Sequence, residues 1–209
     1  MKHIFRATLA CALSYSGYGQ TDGATRADWP HYGGSQLSWR FSALDQINAS
    51  NIKALAPAWI FQTGDYAEGL QATPIVVDGV MYLITARAQV FALDASNGKV
   101  LWQHRYPPPR PGVAGGLSEV QESRGLTVGF GLVFFGSSDN HLVALDQKTG
   151  REVWNVAADD PKQCGCGISA APLLVKDKVI VGATAATRLI AATSPRSTPK
   201  PGVWLGAGM

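Results

Sequence analysis

Residues 90–102 read VFALDASNGKVLW, and 52 positions further on residues 142–154 read LVALDQKTGREVW. A chain that repeats itself at such a spacing builds one local unit more than once and stacks the copies, because a single unit cannot bury its apolar faces alone. Each copy opens with an apolar alternating run, VFAL or LVAL, suited to a half-buried strand. Asp94 or Asp146 follows, then a turn closing on Asn97-Gly98 or Thr149-Gly150, then a second apolar run ending at Trp102 or Trp154. Glycine accepts the positive φ of a hairpin turn, and an aspartate before the turn can accept hydrogen bonds from backbone N–H groups. The repeat therefore predicts strand, turn, strand.

The similarity extends upstream. VVDGVMYLIT (76–85) is matched by VGFGLVFFGS (128–137), and a third version, LVKDKVIVGA, occupies 174–183. Each places a turn pair before β-branched and aromatic residues. QATPIVV and SAAPLLV, further upstream, read as first strands. One unit is then four strands in roughly 50 residues, the scale of a propeller blade. The predicted fold class is all-β, a β-propeller. The indoles of Trp59, Trp102 and Trp154 are expected to cover apolar surface between blades, each N–H needing one acceptor, and Asp94 and Asp146 are expected to hold turns.

Composition narrows the function classes. The 209 residues are 46% hydrophobic and 16% charged, a globular composition. No apolar run is long enough for a transmembrane segment. The formal charge of +3 sits at the ends: Asp28 to Gly182 holds 12 Lys and Arg against 14 Asp and Glu, a net of −2. A body without clustered cations does not track phosphates, so nucleic acid is not an expected partner. The sequence has no phosphate loop, no GxGxxG and no GxSxG. YPPPRPG (106–112) reads as a stiff connector between blades.

The first nineteen residues have the layout of a secretory signal: Lys2 and Arg6, an apolar stretch from Ala7 to Leu13, and Gly17-Tyr18-Gly19 as a small-x-small cleavage candidate. The expected location is the periplasm. Cys11 would leave with the leader, and Cys164 and Cys166 remain as Cys-Gly-Cys. With no second cysteine or histidine pair they do not make a zinc site. They read as two inert thiols or one short-loop disulfide, and export favours the disulfide.

The pattern A-x-D-x-x-T-G-x-x-x-W, present as ALDASNGKVLW and ALDQKTGREVW, resembles the tryptophan-docking repeat of the pyrroloquinoline quinone (PQQ) dependent alcohol dehydrogenases. WPHYGGSQLSWRFSALDQINASNIKALAPAWIFQTG resembles that family's N-terminal signature, and TPIVVDGVMY, the Arg-Gly of ESRGL and APLLVKDKVIVG resemble later motifs, over about residues 28 to 184. The resemblance implies an incomplete ring, about three of eight blades, with PQQ and calcium on the axis of the full-length family. It implies a small alcohol as substrate and an electron acceptor such as a cytochrome.

The resemblance also implies site residues. Gln71 stands where the family has an acidic residue contacting the quinone; Gln keeps an oxygen and loses the charge. Arg124 matches an arginine facing the quinone oxygens, where a guanidinium fork suits acceptors and stabilises the reduced cofactor. Ser169 and Thr184 match hydroxyls, Ser169 one that contacts a cofactor carboxylate. Ser118 and Glu119 replace adjacent cysteines that form a disulfide ring against the quinone, and an oxidised Cys164–Cys166 pair is a candidate to take over part of that packing. Thr187 falls where the family has its first calcium ligand, a Glu, so no metal ligand and no catalytic base is carried over to this chain.

After LVKDKVIVGA a third Ala-x-Asp turn and tryptophan should follow. Instead ATAATRLIAATSPRSTPKPGVWLGAGM has three prolines, no Asp or Glu and no A-x-D-x-x-T-G. Residues 185–209 are therefore expected to be a disordered, aberrant tail with Trp204 in an accidental place. Its composition implies a shifted reading frame or truncated gene near residue 185, with an atypical capping tail as the other reading; in the first case another frame should encode the missing turn. The sequence thus reads as the N-terminal fragment of an exported quinoprotein alcohol dehydrogenase, inactive alone. A noncatalytic propeller acting as an assembly scaffold is the alternative.

Overall fold

The computed structural model describes residues 28–66, 69–107, 122–158 and 166–183, together with the backbone of two further strands, 188–193 and 204–206. The leader, most of the YPPPRPG connector, Ser118, Glu119, Cys164, Thr184 and Thr187 lie outside the described residues.

Each unit is a four-stranded antiparallel meander. Blade 1 comprises β1 (Ile75–Val77), β2 (Val80–Ile84), β3 (Gln89–Asp94) and β4 (Val100–Arg105). Blade 2 comprises β5 (Thr127–Gly129), β6 (Leu132–Gly136), β7 (His141–Asp146) and β8 (Glu152–Ala157). The two-residue loops Asp78-Gly79 (φ 51° and 75°) and Phe130-Gly131 (φ 58° and 77°) have both residues in the left-handed region, which matches the twist of a tight hairpin. The β3–β4 and β7–β8 pairings shift register at the same place, between Ala92 and Leu93 and between Ala144 and Leu145.

Asp94 and Asp146 hold the outer turns as expected. Asp94 Oδ1 accepts from Ser96 N (2.9 Å) and Ser96 Oγ (2.6 Å). Asp146 Oδ1 accepts from Lys148 N (3.1 Å), Thr149 N (2.9 Å) and Thr149 Oγ1 (2.7 Å). Hydrogen bonds to the charged form favour it, so the Ser96 hydroxyl, foremost for Asp94, and the Thr149 hydroxyl, foremost for Asp146, hold these carboxyls below their usual range.

The alternating runs differ from the half-buried expectation. Val90, Phe91, Ala92 and Leu93 are all buried, as are Leu142, Val143, Ala144 and Leu145. A middle strand of a stacked blade has a neighbouring layer on both faces, so both sets of its side chains turn inward. Strand β6 divides its residues by the strand's period of two: Val133 and Phe135 join blade 1 residues in one cluster, Leu132 and Phe134 join blade 3 residues Val179 and Val181 in the next.

The tryptophans fasten the layers. Trp102 Nε1 donates to Gln147 O (3.0 Å), the residue after Asp146, and the indole lies over Gly150. Trp59 repeats this on blade 1, donating to Ala95 O (3.1 Å) and lying over Gly98. Trp59 belongs to the segment before β1, which therefore takes the place of an outer strand of a preceding layer. The segment also pairs with the inner strand, Trp29 bridging Val76.

Blade 3 runs on into the tail. β9 (Leu173–Val175) and β10 (Lys178–Gly182) are continued by β11 (Arg188–Thr193) and β12 (Trp204–Gly206), in the order β12-β11-β10-β9. Lys178 pairs with Thr193 as Val80 pairs with Asp94 and Leu132 with Asp146. The run RLIAAT has no turn aspartate: Thr193 stands in register where the other blades have Asp94 and Asp146. Trp204 opens the fourth strand opposite Ile190.

Candidate functional site: the mouth of the inner strands

The inner strands β1, β5 and β9 adjoin one another, and each is entered from the same end of the stack by a short extended segment. Gln71-Ala72-Thr73-Pro74 leads into Ile75, Arg124-Gly125-Leu126 into Thr127, and Ser169-Ala170-Ala171-Pro172 into Leu173. Three of the four residues the sequence singles out thus stand just before the inner strands at one end, Gln71 and Ser169 four residues ahead of β1 and β9 and Arg124 three ahead of β5. Thr184 falls outside the described residues.

Backbone contacts lock two of these segments together. Arg124 N donates to Ser169 O (2.8 Å), and Thr127 Oγ1 donates to Pro172 O. Gly125, at φ 153°, lies so close that a Cβ on it would stand 3.2 Å from Ala171 Cβ. The position of Arg124 is therefore set by blade 3 as much as by its own blade.

Of the three, Arg124 lines a cleft of about 200 Å³, with Thr73, Thr127 and Pro172 beside it on the blade side and His31 and Tyr32 on the N-terminal segment. The buried Ser35 hydroxyl, in the same cleft, has no hydrogen-bond partner. The Arg124 side chain is 60% exposed, and its Nη2 lies 3.2 Å from Glu122 Oε2. Gln71 is exposed, and Ser169 is half-buried. The Arg124 guanidinium and the buried Ser35 hydroxyl, both in this cleft, are groups that suit a ligand rich in oxygen acceptors. No group of three or more His, Cys, Asp or Glu among the described residues is placed to hold a metal ion.

Two features escaped the sequence. Glu122 is one. The other lies at the same end of blade 2: the Tyr106 hydroxyl is 2.9 Å from His141 Nδ1 and 3.3 Å from Asp139 Oδ2, and Ser137 Oγ donates to Asp139 Oδ1 (2.5 Å). Burial, with Asp139 beside it, pushes the Tyr106 hydroxyl up to about 12. The available signal was a departure from the repeat: His141 and Asp139 stand where blade 1 has Gln89 and Arg87. Cys166 is disulfide-bonded and buried, and the segment after it packs on blade 2, Ile168 N donating to Ser137 O (2.9 Å).

Comparison with known proteins bears on what this mouth serves. The description "glucose/ethanol/alcohol dehydrogenase, beta-propeller domain" of the PQQ family matches residues 29–198, past the point where the separate motifs end. The 1-butanol dehydrogenase (cytochrome c) of Thauera butanivorans is 38% identical over 213 residues, covering 99% of this chain and 30% of its own length. Quinoprotein alcohol dehydrogenase PedH of Pseudomonas putida is 44% identical over 144 residues, covering 68% of this chain and 24% of its own. Among solved structures, a europium-containing methanol dehydrogenase superposes with a TM-score of 0.72 at 31% identity, over 82% of this chain and 31% of that one. The chain spans less than a third of the length of each of these relatives.

Proposed function

Because this chain belongs to the PQQ-dependent alcohol dehydrogenase β-propeller family, we propose that its inner-strand mouth is part of the cofactor wall of an alcohol-oxidising quinoprotein. The observation that carries this reading is the juxtaposition of Arg124 and Ser169, joined through their backbones at 2.8 Å and standing at the same end as Gln71. When bound, PQQ supplies the two-electron acceptor: the alcohol carbon is oxidised to a carbonyl and the quinone is reduced to the quinol.

The chain's own residues bind and orient. Arg124 directs N–H groups at quinone or carboxylate oxygens, and its fixed positive charge favours the form in which negative charge builds up on those oxygens. The Ser169 hydroxyl and the Gln71 amide add neutral hydrogen bonds. The substrate class is a small alcohol, and the electrons leave to a cytochrome, in keeping with the relative named for cytochrome c. Residues 1–19 direct export to the periplasm. Among the described residues the blades supply wall, and on this reading the chain is a binding element, inactive on its own.

Titrating the purified chain with PQQ, with tryptophan fluorescence quenching as the signal, tests the reading. Arg124→Gln should weaken binding by about tenfold, the loss of one charged hydrogen-bonding partner. Equal affinity of the wild type and this variant overturns the assignment.

A further inference from the structure

Glu122 and Arg124 flank Ser123, which is buried, 3% exposed. In an extended chain residues two apart line one face, so burying Ser123 turns both charged side chains outward on the same side. The anchor point beneath them is rigid: Arg124 N is held by Ser169 O at 2.8 Å, and Gly125 is wedged against Ala171. An exposed arginine has wide rotamer freedom, and a surface ion pair usually costs as much entropy as it returns. Here the backbone has already fixed the spacing of the two groups, so less freedom is lost on pairing. The contact is single, Nη2 to Oε2 at 3.2 Å, which occupies one N–H of the guanidinium and leaves the others directed elsewhere.

Resting on the assignment of Arg124 to the cofactor wall, we propose that Glu122 is its positioning residue: the carboxylate holds the guanidinium at the mouth and stands in for the acidic ligand, which displaces it on binding. A ligand carrying carboxylates competes with Glu122 for the same donor group. Glu122 also lowers the positive potential of the empty mouth, so an anion meets less attraction than Arg124 alone would offer. The device keeps the arginine oriented without leaving an unbalanced charge in a cleft lined largely by apolar and neutral groups.

The test is PQQ titration of the full chain in four forms: wild type, Glu122→Gln, Arg124→Gln and the double variant. Glu122→Gln keeps a hydrogen-bonding oxygen and removes the charge, so this variant should bind about three- to tenfold more tightly at low salt, the gain shrinking as salt screens the charges. In the Arg124→Gln background the gain should vanish, and Glu122→Asp should return affinity towards the wild type. E122Q affinity equal to or weaker than the wild type overturns the proposal, and so does an equal gain in both backgrounds, which marks a long-range charge effect. Phenylglyoxal modification of Arg124 in the absence of PQQ, mapped by mass spectrometry, reads the pair independently. The rate should rise about threefold in E122Q as the guanidinium is released. Failure of the wild type to bind PQQ, or indifference to Arg124→Gln, refutes the cofactor-wall reading and the stand-in role with it. An unchanged modification rate refutes the pairing alone.

Discussion

Gly98→Ala and Gly79→Ala separate what a left-handed backbone costs from what tryptophan docking contributes. Both glycines lie in blade 1 with nearly the same φ, 73° and 75°. Nothing lies within 4 Å of a Cβ placed on Gly79, whereas a Cβ on Gly98 would stand 2.6 Å from Trp59 Cε3 and 2.8 Å from Cδ2. Gly79→Ala should therefore cost about 1 kcal/mol, the penalty of an L-residue at positive φ. Gly98→Ala carries the same penalty and must also push the indole back by roughly 0.8 Å to reach ordinary contact. That retreat stretches the 3.1 Å bond from Trp59 Nε1 to Ala95 O. A hydrogen bond of this kind contributes about 1 kcal/mol, and overpacking a seated ring adds roughly 1–3 kcal/mol, so the difference between the variants should be about 2–4 kcal/mol. Urea unfolding in dilute solution, followed by far-ultraviolet circular dichroism, measures both. Equal midpoints for the two variants would refute the claim that Trp59 fastens the N-terminal segment to blade 1.

Three further outcomes follow from the same structure. The Tyr106 hydroxyl ionises at about 12, above its ordinary 10.0, and only the unfolded chain loses this proton easily. Its stabilisation is therefore complete below pH 10 and lost as pH rises towards 12, about 2–3 kcal/mol in all. Melting temperatures across that window should fall more steeply for the wild type than for Tyr106→Phe, and parallel curves would refute the burial argument. Asp146 has its folded ionisation depressed, so its contribution is present above the unfolded value of 3.8 and disappears as pH falls through the lower folded value. Asp146→Asn should flatten the acid limb of the stability profile, read by the same unfolding assay. The N-terminal segment exposes Leu37, Trp39, Phe41 and Ile60, and the inner strand of blade 3 exposes Leu173 and Val175. The chain should bind a hydrophobic dye strongly and self-associate with concentration; a monomeric, dye-silent, cooperative melt would contradict this.

The sequence alone determined the strands, the turns and the docking tryptophans, because each depends on local chemistry. An Asp at a turn start, a Gly at positive φ and an apolar run between them act within a few residues, and repetition at a fixed spacing exposes them. It also marked Gln71, Arg124 and Ser169 through flanking motifs. Only the tertiary structure decided how those positions meet. The hydrogen bond between Arg124 and Ser169 joins two blades, and the pairing of Arg124 with Glu122 depends on the burial of Ser123. The Tyr106 network likewise spans two repeats, linking the end of blade 1 to the β6–β7 loop. The tail shows the same division. Its lost turn motif was legible, but RLIAAT becomes a strand because β10 offers it an unpaired edge, and an edge is made by the fold and not by the residues that come to fill it.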